Sequence, residues 1–286
     1  MSTGPVEQAY TTPDGCRLRT VRWEVPRPRG RVQVVHGLSE HIGRYRHLAE
    51  ALNRAGYSVW GHDHRAHGKS EGVRGVVGPF ARLVEDLGRI RSCADELAPG
   101  PGTPFLVAHS LGGLVAIRAL QESSAPDGGA PWAAAVISAP WLATARIPLP
   151  HRILLPLVRR VAYDLPIPRP IRGDRLTRDE DEAAGYERDP LVVRALSVSF
   201  FDQVVEEQRQ ALASGLPAGL PTLVIVPGAD ELADPNVTMD WAADAGAHVE
   251  SWRIPDTLHE PFNEVNRNNT FERLVDWLDS RSDGSL

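Results

Sequence analysis

Lysine is almost missing from this sequence. Lys69 is the only one among 31 basic residues, so positive charge rests on arginine, and 37 acidic residues leave a net charge of -6. That balance argues against nucleic acid as the principal partner. There are only two cysteines, Cys16 and Cys93, with no Cys-x-x-Cys or Cys/His spacing of the kind that binds zinc. Two separated thiols suit a reducing compartment. The first residues, Met1-Ser2-Thr3-Gly4-Pro5-Val6-Glu7-Gln8, lack a basic and then apolar leader pattern. No apolar run approaches the roughly 20 residues that span a bilayer. The expectation is therefore a soluble, cytoplasmic protein. Gly68-Lys69-Ser70 lacks the upstream glycine of a phosphate-binding loop. No metal or organic cofactor is expected, and no internal repeat is visible.

The chain has 286 residues, 42% of them hydrophobic and 24% charged, which is ordinary for a globular protein with one large domain or two small ones. Glu7–Tyr10 and Arg17–Val25 read as strands around Pro13-Asp14-Gly15. After them the pattern alternates. Strands are expected at 32–35, 57–60, 105–108 and 134–138, and helices at 45–54, 80–97 and 111–121. Leu83, Val84, Leu87, Ile90, Ala94 and Leu97 mark the spacing of the second helix. Such alternation implies a mostly parallel sheet covered by helices on both faces. The pattern breaks at Pro140 and resumes near Leu220, with strands at 222–226 and 249–254 and helices at 237–245 and 262–279. Residues 1–140 and 220–286 thus read as one α/β core, and the Pro-rich stretch 141–219 as a helical cap inserted into it.

Sites in such sheets form at the carboxyl ends of the strands. Ser110 stands at one of them, between the apolar run Phe105–Ala108 and a helix-compatible run. Ala108 and Gly112 flank it two residues away, and Gly112 completes four of the five positions of a G-x-S-x-G nucleophile elbow. Ala108 would be tolerable if its β-carbon faced away from the following helix. A serine nucleophile needs a base, and the base an orienting acid, in the chain order serine, acid, histidine. Asp230 follows the strand at 222–226 after a glycine turn, with Glu231, Asp234 and Asp256 as alternatives. His259 is the histidine that follows a later strand. Backbone N–H groups at Leu111 and Leu38 are the expected oxyanion donors, since each follows a strand end.

These stretches resemble a known family. His36-Gly37-Leu38-Ser39-Glu40-His41-Ile42-Gly43-Arg44-Tyr45 resembles the H-G-x-x-E-H-x-x-R-Y stretch of monoglyceride lipases and related bacterial lysophospholipases. Asp63–Ser70 is similar to their D-x-R-G-x-G-x-S loop, with Ala66 in place of glycine. Tyr186–Leu191 resembles their Y-x-x-D-P-L cap segment, and His259-Glu260 with Asn263-Glu264 their H-E-x-x-N-E ending, Asn263 falling one residue early. The resemblance spans about residues 7–280. It implies an α/β-hydrolase fold with an eight-stranded sheet and a helical cap. It also implies a serine esterase for monoacylglycerols, lysophospholipids or similar esters, and supports Ser110, Asp230 and His259 with the Leu38 and Leu111 N–H groups. The head group, the acyl-chain length and the oligomeric state do not carry over.

His41, Tyr45, Asp63, Arg65 and His67 fit either a pocket rim or a hydrogen-bonded frame, and the frame is favoured. Ile153, Leu154, Leu157, Val158 and Val161 form an apolar stripe flanked by arginines, either packed on the core or meeting lipid surfaces transiently. Other uses of the same serine are a general carboxylesterase or an acyltransferase. A non-catalytic binding protein would be expected to lack part of the triad. Dehalogenase or epoxide hydrolase chemistry would need Asp at position 110.

Overall fold

A computed structural model describes residues 4–102, 104–122, 132–144 and 163–282. Its strands are β1 (Val6–Thr11), β2 (Arg17–Trp23), β3 (Gly30–Val35), β4 (Tyr57–His62), β5 (Phe105–His109), β6 (Ala135–Ser138), β7 (Pro166–Pro168), β8 (Ala195–Ser197), β9 (Thr222–Pro227) and β10 (Val249–Ile254). Eight of them form one sheet in the order β1-β2-β4-β3-β5-β6-β9-β10. Only β1 and β2 run antiparallel to their neighbours. Strands β3, β4, β5, β6 and β9 are buried at every residue. That is why they read as continuous apolar runs, whereas β1 and β10 at the edges are largely open. The architecture is the α/β-hydrolase fold.

The helices are α1 (Arg46–Arg54), α2 (Phe80–Ser92), α3 (Ala94–Leu97), α4 (Leu111–Glu122), α5 (Glu180–Arg188), α6 (Val198–Leu212), α7 (Pro235–Asp244) and α8 (Arg267–Ser282). Strand side chains alternate between two layers. Val35, Leu106, Ala108, Ile137 and Val224 pack with α2, α4, α6 and α7. Val34, Val107, Val136 and Ile225 pack with α1 and α8, where Leu48, Leu52, Leu274 and Leu278 are buried. Each of the valines, leucines and isoleucines contributes about 1.5–3 kcal/mol by leaving water.

Four local expectations change. The helix over 80–97 breaks at Cys93, so that Ala94 and Leu97 lie on a separate cluster around Leu18 and Trp60. Strand β4 runs on to His62, because β2 pairs with it up to Thr20 opposite His62. The stretch after β6 is not purely helical: β7 and β8 pair antiparallel within it. The last helix begins at Arg267 rather than Phe262. Glu264 holds the preceding loop open, its carboxylate accepting the N–H groups of Leu258, Val265 and Arg178.

The elbow's steric requirement falls on Gly112. A β-carbon there would lie 2.5 Å from the His36 carbonyl oxygen and 2.6 Å from that of Val35. Ala108 does not face away from the helix. It packs in the layer of Leu111 and Leu114, fully buried, and the methyl group fits there. The close approach is thus between α4 and the end of β3, one strand over from Ala108.

Buried histidines fix the loops after β3 and β4. The His64 N–H donates to His36 Nε2 at 2.8 Å, and His64 Nε2 donates to the His36 carbonyl at 3.0 Å. His36 therefore carries its proton on Nδ1, which donates to the Gly37 carbonyl at 2.7 Å. His62 and His67 complete the cluster, with ring centroids 5.3 and 6.1 Å from His64. Burial pushes all four below the usual histidine range, aided for His36 and His64 by repulsion among the rings, and His67 falls to about 4.

Two outcomes follow from these contacts. Gly112→Ala should cost about 3 kcal/mol or more, because both obstructing atoms are backbone; an unfolding free energy from urea titration within about 0.5 kcal/mol of the parent would refute the close approach. Between roughly pH 6.5 and 4 the unfolded chain binds protons that the folded histidines refuse, so stability falls as pH falls. The loss should reach a few kcal/mol, since several histidines outweigh the opposite contributions of Glu40, raised to about 7, and of His259, also raised. Urea titrations at pH 7.5 and 5 test this, and a more stable protein at pH 5 would contradict it.

Candidate active site

Ser110 occupies the left-handed region at φ 53°, which β5 and α4 together impose. Its N–H donates to the Ser138 carbonyl at 3.0 Å, and its own carbonyl accepts the N–H groups of Leu114 and Trp141. The turn is therefore locked on both sides, and the side chain points away from the sheet. Ser110 Oγ lies 2.9 Å from His259 Nε2, and His259 Nδ1 lies 2.7 Å from Asp230 Oδ2. All three residues are buried.

Asp230 is held in turn by its other oxygen, which accepts the N–H groups of Leu232 and Ala233. The alternative acids do other things. Glu231 pairs with Arg175 at the surface, Asp234 caps α7, and Asp256 is exposed. Burial opposes a charge on His259, but Asp230, through its charge and its hydrogen bond, and then Glu260 and Glu40 outweigh it, so the imidazole sits above its ordinary pKa. His109 lies alongside, with ring centroids 4.8 Å apart, and burial keeps it neutral.

Leu38 and Leu111 follow the ends of β3 and β5, and neither N–H is donated to a protein acceptor among the described residues. The preceding Gly37 N–H is taken by Glu40 Oε1 at 2.5 Å. A β-carbon on Gly37 would come within 3.0 Å of the Ser110 β-carbon, so the loop lies directly against the serine.

Glu40, Arg44 and Glu260 were given no role by sequence reasoning, although the Glu40/Arg44 spacing of four was a visible signal. Glu40 also accepts the Tyr45 hydroxyl at 2.7 Å. Arg44 lies between Glu40 and Glu260, with Nε 3.4 Å from Glu40 Oε2. Burial and the nearby Glu260 charge raise Glu40 to about 7. One buried guanidinium thus ties the loop after β3 to the residue next to His259, and its other face stacks on Tyr186 at 4.9 Å.

The five ambiguous residues are framework. Asp63, fully buried, accepts the N–H groups of Ile42 and Lys69, each at 2.8 Å, and pairs with Arg19. Arg65 makes a bidentate pair with Asp86. Ala66 sits at φ 64°, a conformation suited to glycine, secured by its N–H to the Glu71 carbonyl. His41 reaches Asp189, 2.8 Å away on the segment between β6 and β9. The apolar stripe at 153–161 lies outside the described residues. Among those described, no group of three His, Cys, Asp or Glu could hold a metal, and no helix is long and apolar enough to cross a membrane.

Comparison with known proteins bears on the fold and the family. The monoglyceride lipase of Homo sapiens is 30% identical over 254 residues, covering 84% of this chain and 82% of that protein. Phospholipase YtpA of Bacillus subtilis is 27% identical over 256 residues, 87% of this chain and 95% of the other. The crystal structure of the Paleococcus ferrophilus monoacylglycerol lipase superposes with a TM-score of 0.79 at 28% identity, covering 92% of this chain and 99% of that one. A soluble variant of the Saccharomyces cerevisiae monoglyceride lipase reaches 0.82 at 21% identity over 98% and 96%, which bears on the fold. Residues 26–266 match the family described as Serine aminopeptidase, S33. With the sheet order and these relatives in agreement, the chain belongs to that family of serine α/β-hydrolases, among the lipases and esterases.

Proposed function

We propose that this protein hydrolyses carboxylic esters of monoacyl lipids, monoacylglycerols or lysophospholipids, through an acyl-enzyme on Ser110. The observation that carries the reading is the continuous line of short contacts Ser110–His259–Asp230, 2.9 and 2.7 Å. Relatives named monoglyceride lipase and phospholipase support the substrate class. The segment 141–219 acts in this reading as a cap, joined to the core by His41–Asp189, His47–Glu182 and Arg267–Asp179.

Ser110 Oγ attacks the ester carbonyl while His259 Nε2 takes its proton. Asp230 holds the ring with Nδ1 protonated and stabilises the imidazolium. The carbonyl oxygen, now an anion, is met by the Leu38 and Leu111 N–H groups, the second at the N-terminus of α4. The C–O bond breaks, the alcohol leaves with the His259 proton, and water repeats the sequence on the acyl-enzyme. Glu40 fixes the Gly37 peptide and so acts on the oxyanion loop as a positioning residue.

Ser110→Ala should lower kcat by at least about 1000-fold; near-parental turnover of p-nitrophenyl esters would overturn the assignment. Activity requires neutral His259, so kcat/KM falls as pH drops through a pKa above 6.5, the ordinary value. In Asp230→Asn that acid limb should move to lower pH, because the charge that raises the pKa is gone, and kcat should drop about 100- to 10,000-fold. An unmoved limb would remove Asp230 from the role. Graded monoacylglycerols and p-nitrophenyl esters test the substrate class: a maximum at long monoacylglycerols is expected, and one at acetate indicates a general esterase. Acyl transfer would show as new esters formed with glycerol present.

A further inference from the structure

Among the described residues, Arg169 is a cation without an anion. Its guanidinium carbon lies 5.2 Å from the Phe201 ring centroid and 5.9 Å from that of Trp141. The charge acting on it among the described residues is Arg175, a like charge, and desolvation likewise disfavours its protonated form. No carboxylate among the described residues pairs with it, and residues 145–162, which precede this stretch, contain no Asp or Glu in their sequence. Yet the side chain is exposed to solvent. Arginines further along the chain do have carboxylates: Arg175 pairs with Glu231, Arg178 with Glu264 and Arg267 with Asp179.

Its neighbours link it to the loops that carry the proposed nucleophile and acid. The Trp141 N–H donates to the Ser110 carbonyl at 3.0 Å. Arg175, the like charge, is bonded to Glu231, the residue after Asp230. The loops that carry Trp141 and Glu231 run together, through a bridge between Thr144 and Ala233 and the bond from the Asp234 N–H to the Ala143 carbonyl. Arg169 is thus bracketed by residues bonded to the serine on one side and next to the acid on the other. The guanidinium carbon lies near both rings, and no described residue accepts the guanidinium N–H groups.

We propose that Arg169, backed by Trp141 and Phe201, is a recognition site for an anionic oxygen group, phosphate or carboxylate, carried by the ester substrate. The inference rests on Ser110 being an ester-cleaving nucleophile. It narrows the substrate class to acyl esters bearing a negative charge, with a lysophospholipid phosphate on the alcohol side or a terminal carboxylate on the acyl side. A planar guanidinium suits either, because both present two oxygens to its fork.

The test compares kcat/KM for a 1-acyl-glycerol 3-phosphate and for the monoacylglycerol of the same chain, below their aggregation concentrations. A p-nitrophenyl ester ending in a carboxylate, set against its methyl-capped form, is the acyl-side arm. Arg169→Gln should lower the anionic-to-neutral ratio about tenfold in one arm, through KM, the size of one charge-assisted contact. Arg169→Lys should restore part of it. The affected arm tells which side carries the anion. A ratio unchanged in both arms overturns the proposal, as does an equal loss on charged and neutral esters. Calorimetric binding of the same lipids to Ser110→Ala, with and without Arg169→Gln, reads that ratio without turnover. Absent hydrolysis therefore refutes the hydrolase reading, while the binding ratio still decides Arg169.

Discussion

The left-handed backbone of Ser110 is the constraint on which the site depends. A non-glycine residue at φ 53° is unfavourable on its own. Here the conformation is over-determined. The N–H is held by Ser138, the carbonyl by Leu114 and Trp141, and α4 is pressed against the end of β3 at Gly112. With the turn fixed, the hydroxyl projects beyond the strand ends to where the chain must bring a histidine. Strands β9 and β10 meet that demand because their parallel register delivers Asp230 and His259 at the same edge.

A second constraint is electrostatic. Glu40, Arg44 and Glu260 put two carboxylates and one guanidinium into a buried space, a costly arrangement unless the hydrogen bonds are complete. Gly37, Tyr45 and Asn263 supply most of them. The loop after β3, the His259 loop and Tyr186 from the intervening segment therefore share one charge network, so a shift in any of them is felt at the others. The same carboxylates help hold His259 above its ordinary pKa, which couples the framework to the chemistry.

The intervening segment contributes differently. Its α6 joins the main layer through Phe200, Val204 and Ala211, whereas its small cluster around Leu176, Tyr186 and Val192 is separate and meets the core through polar pairs such as His41–Asp189.

Much of this was legible in the sequence. Buried parallel strands leave continuous apolar runs, so the α/β alternation and its interruption after Pro140 were readable. Ser110, Asp230 and His259 stood out because each follows a strand, and chain order then paired them. What was not legible depended on partners distant in sequence. Glu264 delays the last helix by accepting N–H groups from Arg178 and Leu258. Ala108 is tolerated because the tight approach falls on Gly112, opposite a neighbouring strand. Asp63 and Arg65 could be read as rim or frame until Ile42, Lys69 and Asp86 were seen to take their hydrogen bonds. Arg169 drew no notice among so many arginines, since only the tertiary structure shows which of them lack a carboxylate. The sequence alone determined the element order and the types of chemical group at the strand ends, because periodicity and turn residues are local. Only the tertiary structure decided which groups touch and which charges are compensated, because those are properties of distances across the chain.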